Sequence, residues 1–202
     1  MKKRVDLPEK KYEGYIFDLD GTLVDSMPLH YRAWREALAR AGAPDHVFRA
    51  DEFYSCGGRS ANDVVRFLNE RYGMHMDAAS TAADKRRIYL EMLEKEGMQP
   101  IREVVEFVHS LGDAPKAIAT GSAMPGASRT LAAAGLSGLF DVILTPDEVE
   151  HGKPAPDMFL KAAELLGVSP DRCVVFEDAE PGMKAAAAAG MDCVQVRRPS
   201  LA

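Results

Sequence analysis

Tyr15-Ile-Phe-Asp-Leu-Asp-Gly-Thr-Leu-Val-Asp-Ser26 is a short apolar run that delivers Asp18 and Asp20 to a glycine turn. Residues two apart on a strand share a face, and Gly21 lets the backbone turn just after the second carboxylate, so both acids can crowd one spot at a strand end. Crowded carboxylates call for a cation. The same aspartates would also suit a plain turn, because aspartate commonly caps helices and closes turns. What separates the two readings is the rest of the chain.

Outward from this stretch, apolar segments at Tyr15–Phe17, Lys116–Ala119, Val142–Leu144, Cys173–Phe176 and Cys193–Val196 read as short buried strands. Between the later ones lie helical stretches with glycine stops: Ala127–Ala134 before Gly135, Asp157–Leu166 before Gly167, and Met183–Ala189 before Gly190. Pro156 and Pro181 suit first-turn positions. Strands alternating with helices predict an α/β fold, a Rossmann-like parallel sheet covered on both faces. Residues 27–97 break the alternation. They hold helical patterns at Tyr31–Ala41, Ala61–Tyr72 and Ala82–Glu96 and no convincing strand, which predicts an inserted α-helical cap domain. The expected division is a core of residues 1–26 and 98–202 with a cap of residues 27–97, hinged near Leu23–Ser26 and Met98–Ile101.

In an open parallel sheet, ligands collect outside the carboxyl ends of the strands. Those ends carry Asp18 and Asp20, then Thr120-Gly121-Ser122, then Glu177-Asp178, and the loop after the third strand carries Lys153. Four carboxylates, two hydroxyls and a lysine fit phosphoryl transfer. Magnesium is commonly held by one or two carboxylates plus a substrate phosphate. Asp178 and one N-terminal aspartate would supply it, leaving the other free to attack phosphorus, while a hydroxyl and the lysine hold the phosphoryl oxygens. Singly, each piece has a plainer reading: a helix cap for Thr120 or Ser122, a solvated Lys153, a turn at Glu177-Asp178. Their joint arrival at successive strand ends favours the chemistry.

Asp18-Leu-Asp-Gly-Thr, the strand ending at Thr120, Lys153-Pro-Ala-Pro-Asp and Phe176-Glu-Asp-Ala-Glu-Pro-Gly together resemble the haloacid dehalogenase superfamily, and in spacing its sugar-phosphate branch, which includes β-phosphoglucomutase. The resemblance implies Asp18 as nucleophile and Asp20 as general acid and base. It implies phosphate binding by Thr120, Gly121 and Lys153, and Mg2+ held by Asp18, the carbonyl of Asp20 and Asp178, with Glu177 in or next to that shell. The family's dehalogenases lack an acid two residues after the nucleophile, so Asp20 argues for phosphoryl chemistry. A phosphonate hydrolase of the family would use a cap lysine as a Schiff base; Lys85 is present, but its neighbours Arg86 and Arg87 suggest simple anion binding.

The cap should choose the substrate. His30 matches a cap position beside the acid/base aspartate in the mutase, against the plainer reading of an exposed helix histidine. Gly57-Gly-Arg59-Ser60 resembles the family's specificity loop, and Lys85 falls where the family often has a basic cap residue; Trp34 reads as packing. At the end of the second strand the mutase resembles Ser-Ala-Ser-Lys-Asn, whereas this chain has Thr120-Gly121-Ser122-Ala123-Met124, losing the lysine and asparagine, and the arginine of the cap loop is displaced by one residue. The expected function is therefore a Mg-dependent phosphatase of a small sugar phosphate, resembling the fructose 1-phosphate and phosphogluconate phosphatases of the branch. A phosphosugar mutase is the alternative, and a catalytically dead phosphosugar-binding or partner-binding relative a third reading, which would need a missing acid.

Composition agrees with a globular chain of 202 residues, nearly half apolar and 28% charged. A net charge of −6 disfavours nonspecific nucleic-acid binding, and no stretch is long and apolar enough for a membrane span. Met1-Lys-Lys-Arg4 is followed by polar residues where a signal peptide would be apolar, so a cytoplasmic monomer is expected. Cys56, Cys173 and Cys193 show no metal or disulfide spacing and are expected as buried thiols.

Overall fold

A computed structural model describes residues 4–57 and 59–197. Gly58 of the cap loop and the chain ends, including Met1–Lys3, lie outside the described residues. Five strands, β1 (Gly14–Phe17), β2 (Lys116–Ala119), β3 (Val142–Leu144), β4 (Cys173–Glu177) and β5 (Asp192–Gln195), form one parallel sheet in the order β3-β2-β1-β4-β5. The order places β1 between β2 and β4, where the chain's direction of travel across the sheet reverses. That crevice is where an α/β sheet binds ligands.

Alternation along the strands divides the core. Tyr15, Phe17, Ile118, Val174 and Phe176 face one side, joined by Val104 and Val108 of α5 (Arg102–Ser110) and by Ala127 and Leu131 of α6 (Met124–Ala133). Ile16, Ala117, Ala119 and Val175 face the other, against Met158, Phe159, Ala162 and Ala163 of α7 (Asp157–Leu166) and Ala185 and Ala186 of α8 (Glu180–Ala188). Both faces are thus covered, which explains why the strands read as continuous apolar runs.

Between β1 and α5 come α1 (Met27–Arg40), α2 (Ala50–Ser55), α3 (Ala61–Tyr72) and α4 (Ala78–Glu96). Ser60 caps α3 by accepting from Asp63 N, Asp77 caps α4 by accepting from Ser80 N, and Gly73 ends α3 in the left-handed region. Trp34, Leu38, Phe48, Phe53, Val65 and Leu68 form a separate apolar cluster inside this insertion. The opposite faces of α1 and α4, with Leu29, Ala33, Ile88, Tyr89 and Leu93, join the main core. The two connecting segments lie side by side: Asp25 N donates to Gln99 O (2.9 Å) and Ile101 N to Leu23 O (2.8 Å).

Several elements differ from the sequence expectation. Helices α1, α4, α6 and α8 each begin three or four residues earlier, because their first turns carry proline, glycine or small residues (Pro28 in α1, Pro125-Gly126 in α6, for instance) that read as helix breakers or give no periodicity. The short α2 and the valine-rich α5 went unread; Val104, Val105, Phe107 and Val108 have helical spacing, but β-branched residues weaken the local signal and packing decides. Strand β5 sits one residue earlier than Cys193–Val196. Pro156 is the N-cap of α7 rather than a first-turn residue. Cys56 and Cys173 are buried thiols, but Cys193 is exposed, because β5 is an edge strand.

Candidate active site

At the carboxyl end of β1, Asp18 is buried and its N–H donates to Phe176 O of β4 (2.9 Å), fixing the strand end. Lys153, also buried, donates from Nζ to Asp18 Oδ1 (2.6 Å) and to Glu177 Oε1 (2.8 Å). Glu177 Oε2 accepts from Ala179 N at 2.7 Å. Burial alone would lower the lysine pKa, but Asp18 and then Glu177 hold it above the usual range. Asp18 behaves oppositely. Burial pushes its pKa well up, Lys153 pulls it down, and Glu177, Asp178 and Asp20 push it up again.

Asp18, Glu177 and Asp178 offer carboxylate oxygens within 4.8 Å of one another. This buried, oxygen-only set fits Mg2+ by its chemistry, and the crowding that raises Asp18 is what a divalent cation relieves. The Asp20 side chain is not one of the three and is engaged elsewhere, in keeping with the resemblance, which implies a role toward a metal for its main-chain carbonyl alone. Glycines make the crowding possible. Gly21 has φ +91°, and a Cβ there would lie 2.5 Å from Asp178 Oδ2. A Cβ on Gly182 in α8 would lie 1.8 Å from Glu177 Oε1. Because Glu177 is tied to Lys153 and Ala179 N, it has nowhere cheap to go. Gly182→Ala is expected to cost about 1–3 kcal/mol of stability and about tenfold or more in turnover, read by thermal unfolding and by phosphate release; unchanged kinetics would mean that the Glu177 position is not needed.

Asp20 lies in a second network. Ser26 Oγ donates to Asp20 Oδ1 (2.6 Å), Ser122 Oγ donates to Oδ2 (2.6 Å), and His30 Nε2 is 3.1 Å from Oδ1. Burial would raise the Asp20 pKa, yet His30 and the Ser122 and Ser26 hydroxyls outweigh it and hold the acid below the usual carboxylate range. Ser26 is the N-cap of α1 but makes no side-chain cap, because its hydroxyl is spent on Asp20. On the far side of the imidazole, Lys85 Nζ is 2.8 Å from His30 Nδ1. An ammonium can only donate, so this network assigns the imidazole proton to Nε2, pointing at Asp20. Burial, followed by Lys85, lowers the His30 pKa against the pull of Asp20, which agrees with a neutral ring.

Thr120 ends β2 buried, its Oγ1 accepting from Ser122 N (3.1 Å), and with Gly121 it lines the same cavity of about 740 Å3 as Asp18, Asp20 and Lys153. The insertion roofs this cavity with His30, Arg59 and Lys85. The structure thus replaces the exposed-histidine reading of His30 with a half-buried contact to Asp20. Lys85, read from the sequence as a cap anion binder, contacts His30 Nδ1 while lining the cavity. Arg59 lies over the Phe67 ring at 4.7 Å. Trp34 packs edge-on against Phe48 within the insertion's own core. Sequence reasoning missed Ser26, Gly182 and Tyr89; Tyr89 lies four residues after Lys85, hence on the same helix face, which was the available signal.

Burial, with a small further push from Arg86, brings the Lys85 pKa down to about 8, against the pull of Asp20. The cation beside His30 is therefore present below that pH and lost as pH rises through it. Turnover is expected to fall along an alkaline limb near pH 8, and Lys85→Met to lower the plateau and remove that limb. A limb that survived in the variant would belong to another group.

A parallel sheet with buried carboxylates and a lysine at its switch point, roofed by an inserted helical bundle, defines a phosphoryl-transfer type of α/β enzyme core. Residues 12–190 match the haloacid dehalogenase-like hydrolase model, and the chain belongs to that family. It is 39% identical over 189 residues to fructose-1-phosphate phosphatase YqaB of Escherichia coli K12, covering 93% of this chain and 98% of that protein. It is 35% identical over 192 residues to hexitol phosphatase A of the same organism, covering 93% and 84%. The crystal structure of CbbY from Rhodobacter sphaeroides in complex with phosphate superposes with a TM-score of 0.77 at 27% identity, covering 90% of this chain and 84% of that one.

Proposed function

We propose that this chain is a phosphatase of small phosphorylated sugars that works through an aspartyl-phosphate on Asp18. The observation that carries the reading is the pairing of two networks in one cavity: the buried Lys153 bridging Asp18 and Glu177, and the half-buried Asp20 held by three donors. The names of the relatives above support the substrate class.

In this mechanism Asp18 attacks phosphorus and the bond to the sugar oxygen breaks. Lys153, Thr120 and Gly121 hold the phosphoryl oxygens as charge moves onto the leaving group, while the Ser122 hydroxyl stays on Asp20. Asp18, Asp178, the carbonyl of Asp20 and the adjoining Glu177 would hold Mg2+, which when bound neutralises phosphoryl charge. Asp20 protonates the departing sugar oxygen and then, ionised again, takes a proton from the water that attacks the acyl phosphate. Its proton arrives along the observed chain. Lys85 gives a proton to His30 Nδ1 and His30 gives its Nε2 proton to Asp20, leaving a neutral lysine and a neutral imidazole. The lowered Lys85 pKa makes that transfer less costly than from an ordinary lysine. Residues 27–97 act as a lid that excludes water and reads the sugar, with Arg59 as the free end of that reading.

Measuring phosphate release from a panel of sugar phosphates, beside a coupled assay for isomerised sugar phosphate, tests the function. Free phosphate should dominate. Conversion of a sugar 1-phosphate to its 6-phosphate with little free phosphate would make the chain a mutase, despite Ala123 and Met124 standing where the mutase has lysine and asparagine. Arg59→Ala should cost roughly ten- to a hundredfold on the sugar phosphate and little on p-nitrophenyl phosphate, which reaches the core without the lid contact. Equal losses would give Arg59 a structural role instead.

A further inference from the structure

Tyr89 of α4 has no part in the chemistry above, yet it touches each piece of the Asp20 network that comes from the insertion. Its ring stacks on the His30 imidazole with centroids 4.0 Å apart and planes 4° from parallel, and the Lys85 ammonium lies 5.4 Å from its centroid. The ring is buried, so the stack excludes water from one whole face of the imidazole. At its other end the phenol oxygen is 2.8 Å from Thr130 Oγ1 of α6, a buried hydrogen bond between the insertion and the sheet-covering layer. Thr130 is itself buried.

We propose that Tyr89 is the positioning residue of the acid/base network: its ring sets the plane of His30, and its hydroxyl anchors that plane to Thr130, so that Nε2 is aimed at Asp20 only when α4 is seated on α6. The physical case is one of degrees of freedom. His30 turns about χ1 and χ2, and its two hydrogen-bond partners are themselves movable side chains; a parallel ring stacked on one face of the imidazole restricts both torsions. Asp20 belongs to the core and its partner His30 to the insertion, so their alignment depends on how the two parts sit. A single buried hydroxyl pair between α4 and α6 couples that seating to the ring next to His30. A tyrosine needed only for packing would not have its ring parallel to His30 within 4° and its oxygen paired across the junction as well. The inference rests on the phosphatase reading, in which Asp20 moves the proton.

Three single variants, one double variant and two readouts test it. Tyr89→Phe and Thr130→Val keep the stacked ring and remove the anchor, and each should lower kcat about three- to tenfold with KM little changed. The double variant should lose no more than either single, since both remove one bond. Tyr89→Leu should lose more than about thirtyfold. Because the effect acts through Asp20, it should be largest for a sugar phosphate, whose leaving oxygen needs a proton, and persist on p-nitrophenyl phosphate only through the later attack of water on the acyl phosphate, in both cases with KM little changed. Proton NMR supplies the second readout: the His30 carbon-bound protons, assigned with His30→Asn, should be shifted upfield by the tyrosine ring, stay so in Tyr89→Phe, and move toward free imidazole in Tyr89→Leu. Unchanged kcat in Tyr89→Leu, or additive losses in the double variant, would overturn the proposal. So would a full loss of kcat with the His30 resonances unmoved, which is the mark of a packing role. Were the unmodified protein inactive on every phosphoester, the phosphatase reading would fail separately, and the NMR shifts would still decide whether Tyr89 holds His30.

Discussion

Asp18→Asn is expected to fold normally and to release no measurable phosphate from any ester, a loss of at least about 10^4. An amide is a poor nucleophile, so no phosphoryl group should become attached to the protein, whereas the unmodified chain should carry an acid-stable, base-labile label after rapid quenching. Folding should survive for a reason visible in the site. The Asp18 carboxylate is disfavoured by burial and by Glu177, Asp178 and Asp20, with Lys153 alone of the named causes opposing them. Removing that charge relieves crowding, and Lys153 keeps Glu177 as its partner. In the metal-free protein the unfolding temperature of Asp18→Asn should therefore equal or exceed that of the parent, as expected where function is built on local repulsion. Near-normal turnover in Asp18→Asn would end the covalent route. An inactive variant that also unfolds at much lower temperature would mean the residue is structural.

What could be read from the sequence divides along a physical line. Asp18, Asp20, Thr120, Glu177 and Asp178 were visible because each stands at the end of a short apolar run, and Lys153 because it lies in the loop that leaves such a run; a parallel sheet gathers its strand ends without help from any other contact. The central strands β1, β2 and β4 were visible for the same reason: buried on both faces, they read as unbroken apolar segments. The helical starts were not, because their first turns hold proline, glycine or small residues, as at Met27-Pro28, Ala78-Ala79-Ser80, Pro125-Gly126 and Pro181-Gly182, which give a helical periodicity little to register. Ser26, Gly182 and Tyr89 were hidden because their meaning lies in partners far along the chain. Tyr89 meets Thr130 across 41 residues, and Gly182 matters only because the Glu177 side chain occupies the space its Cβ would take. His30 and Lys85 fell between these cases: resemblance pointed to both positions, but only the structure joins one to the other and both to Asp20. Cys193 shows the converse error, since an apolar run does not tell an edge strand from a central one.

Removing the divalent metal is expected to abolish turnover as completely as removing the nucleophile. Chelator-treated protein should be inactive, with Mg2+ restoring phosphate release. The acidic cluster explains both the binding and its energetic consequence. Asp18, Glu177 and Asp178 are buried and mutually repulsive, so the metal-free fold carries a cost that a bound cation removes. A cation that binds only the folded state stabilises by about 2.7 kcal/mol at a hundredfold excess over its dissociation constant. For a domain of this size that corresponds to roughly 5–10 °C in unfolding temperature. Asp178→Ala removes one oxygen donor and the side chain that packs against Gly21, while leaving the Lys153 bridge to Asp18 and Glu177 intact. It should be inactive with Mg2+ present, and its unfolding temperature should not rise when Mg2+ is added. The thermal shift separates a lost metal site from a lost fold, because an Asp178→Ala protein that unfolds at the metal-free temperature of the parent is folded and merely unable to bind. Full activity in chelator would show that Lys153 and the hydroxyls alone neutralise the phosphoryl group, and a thermal shift retained in Asp178→Ala would place the cation elsewhere than on these three carboxylates.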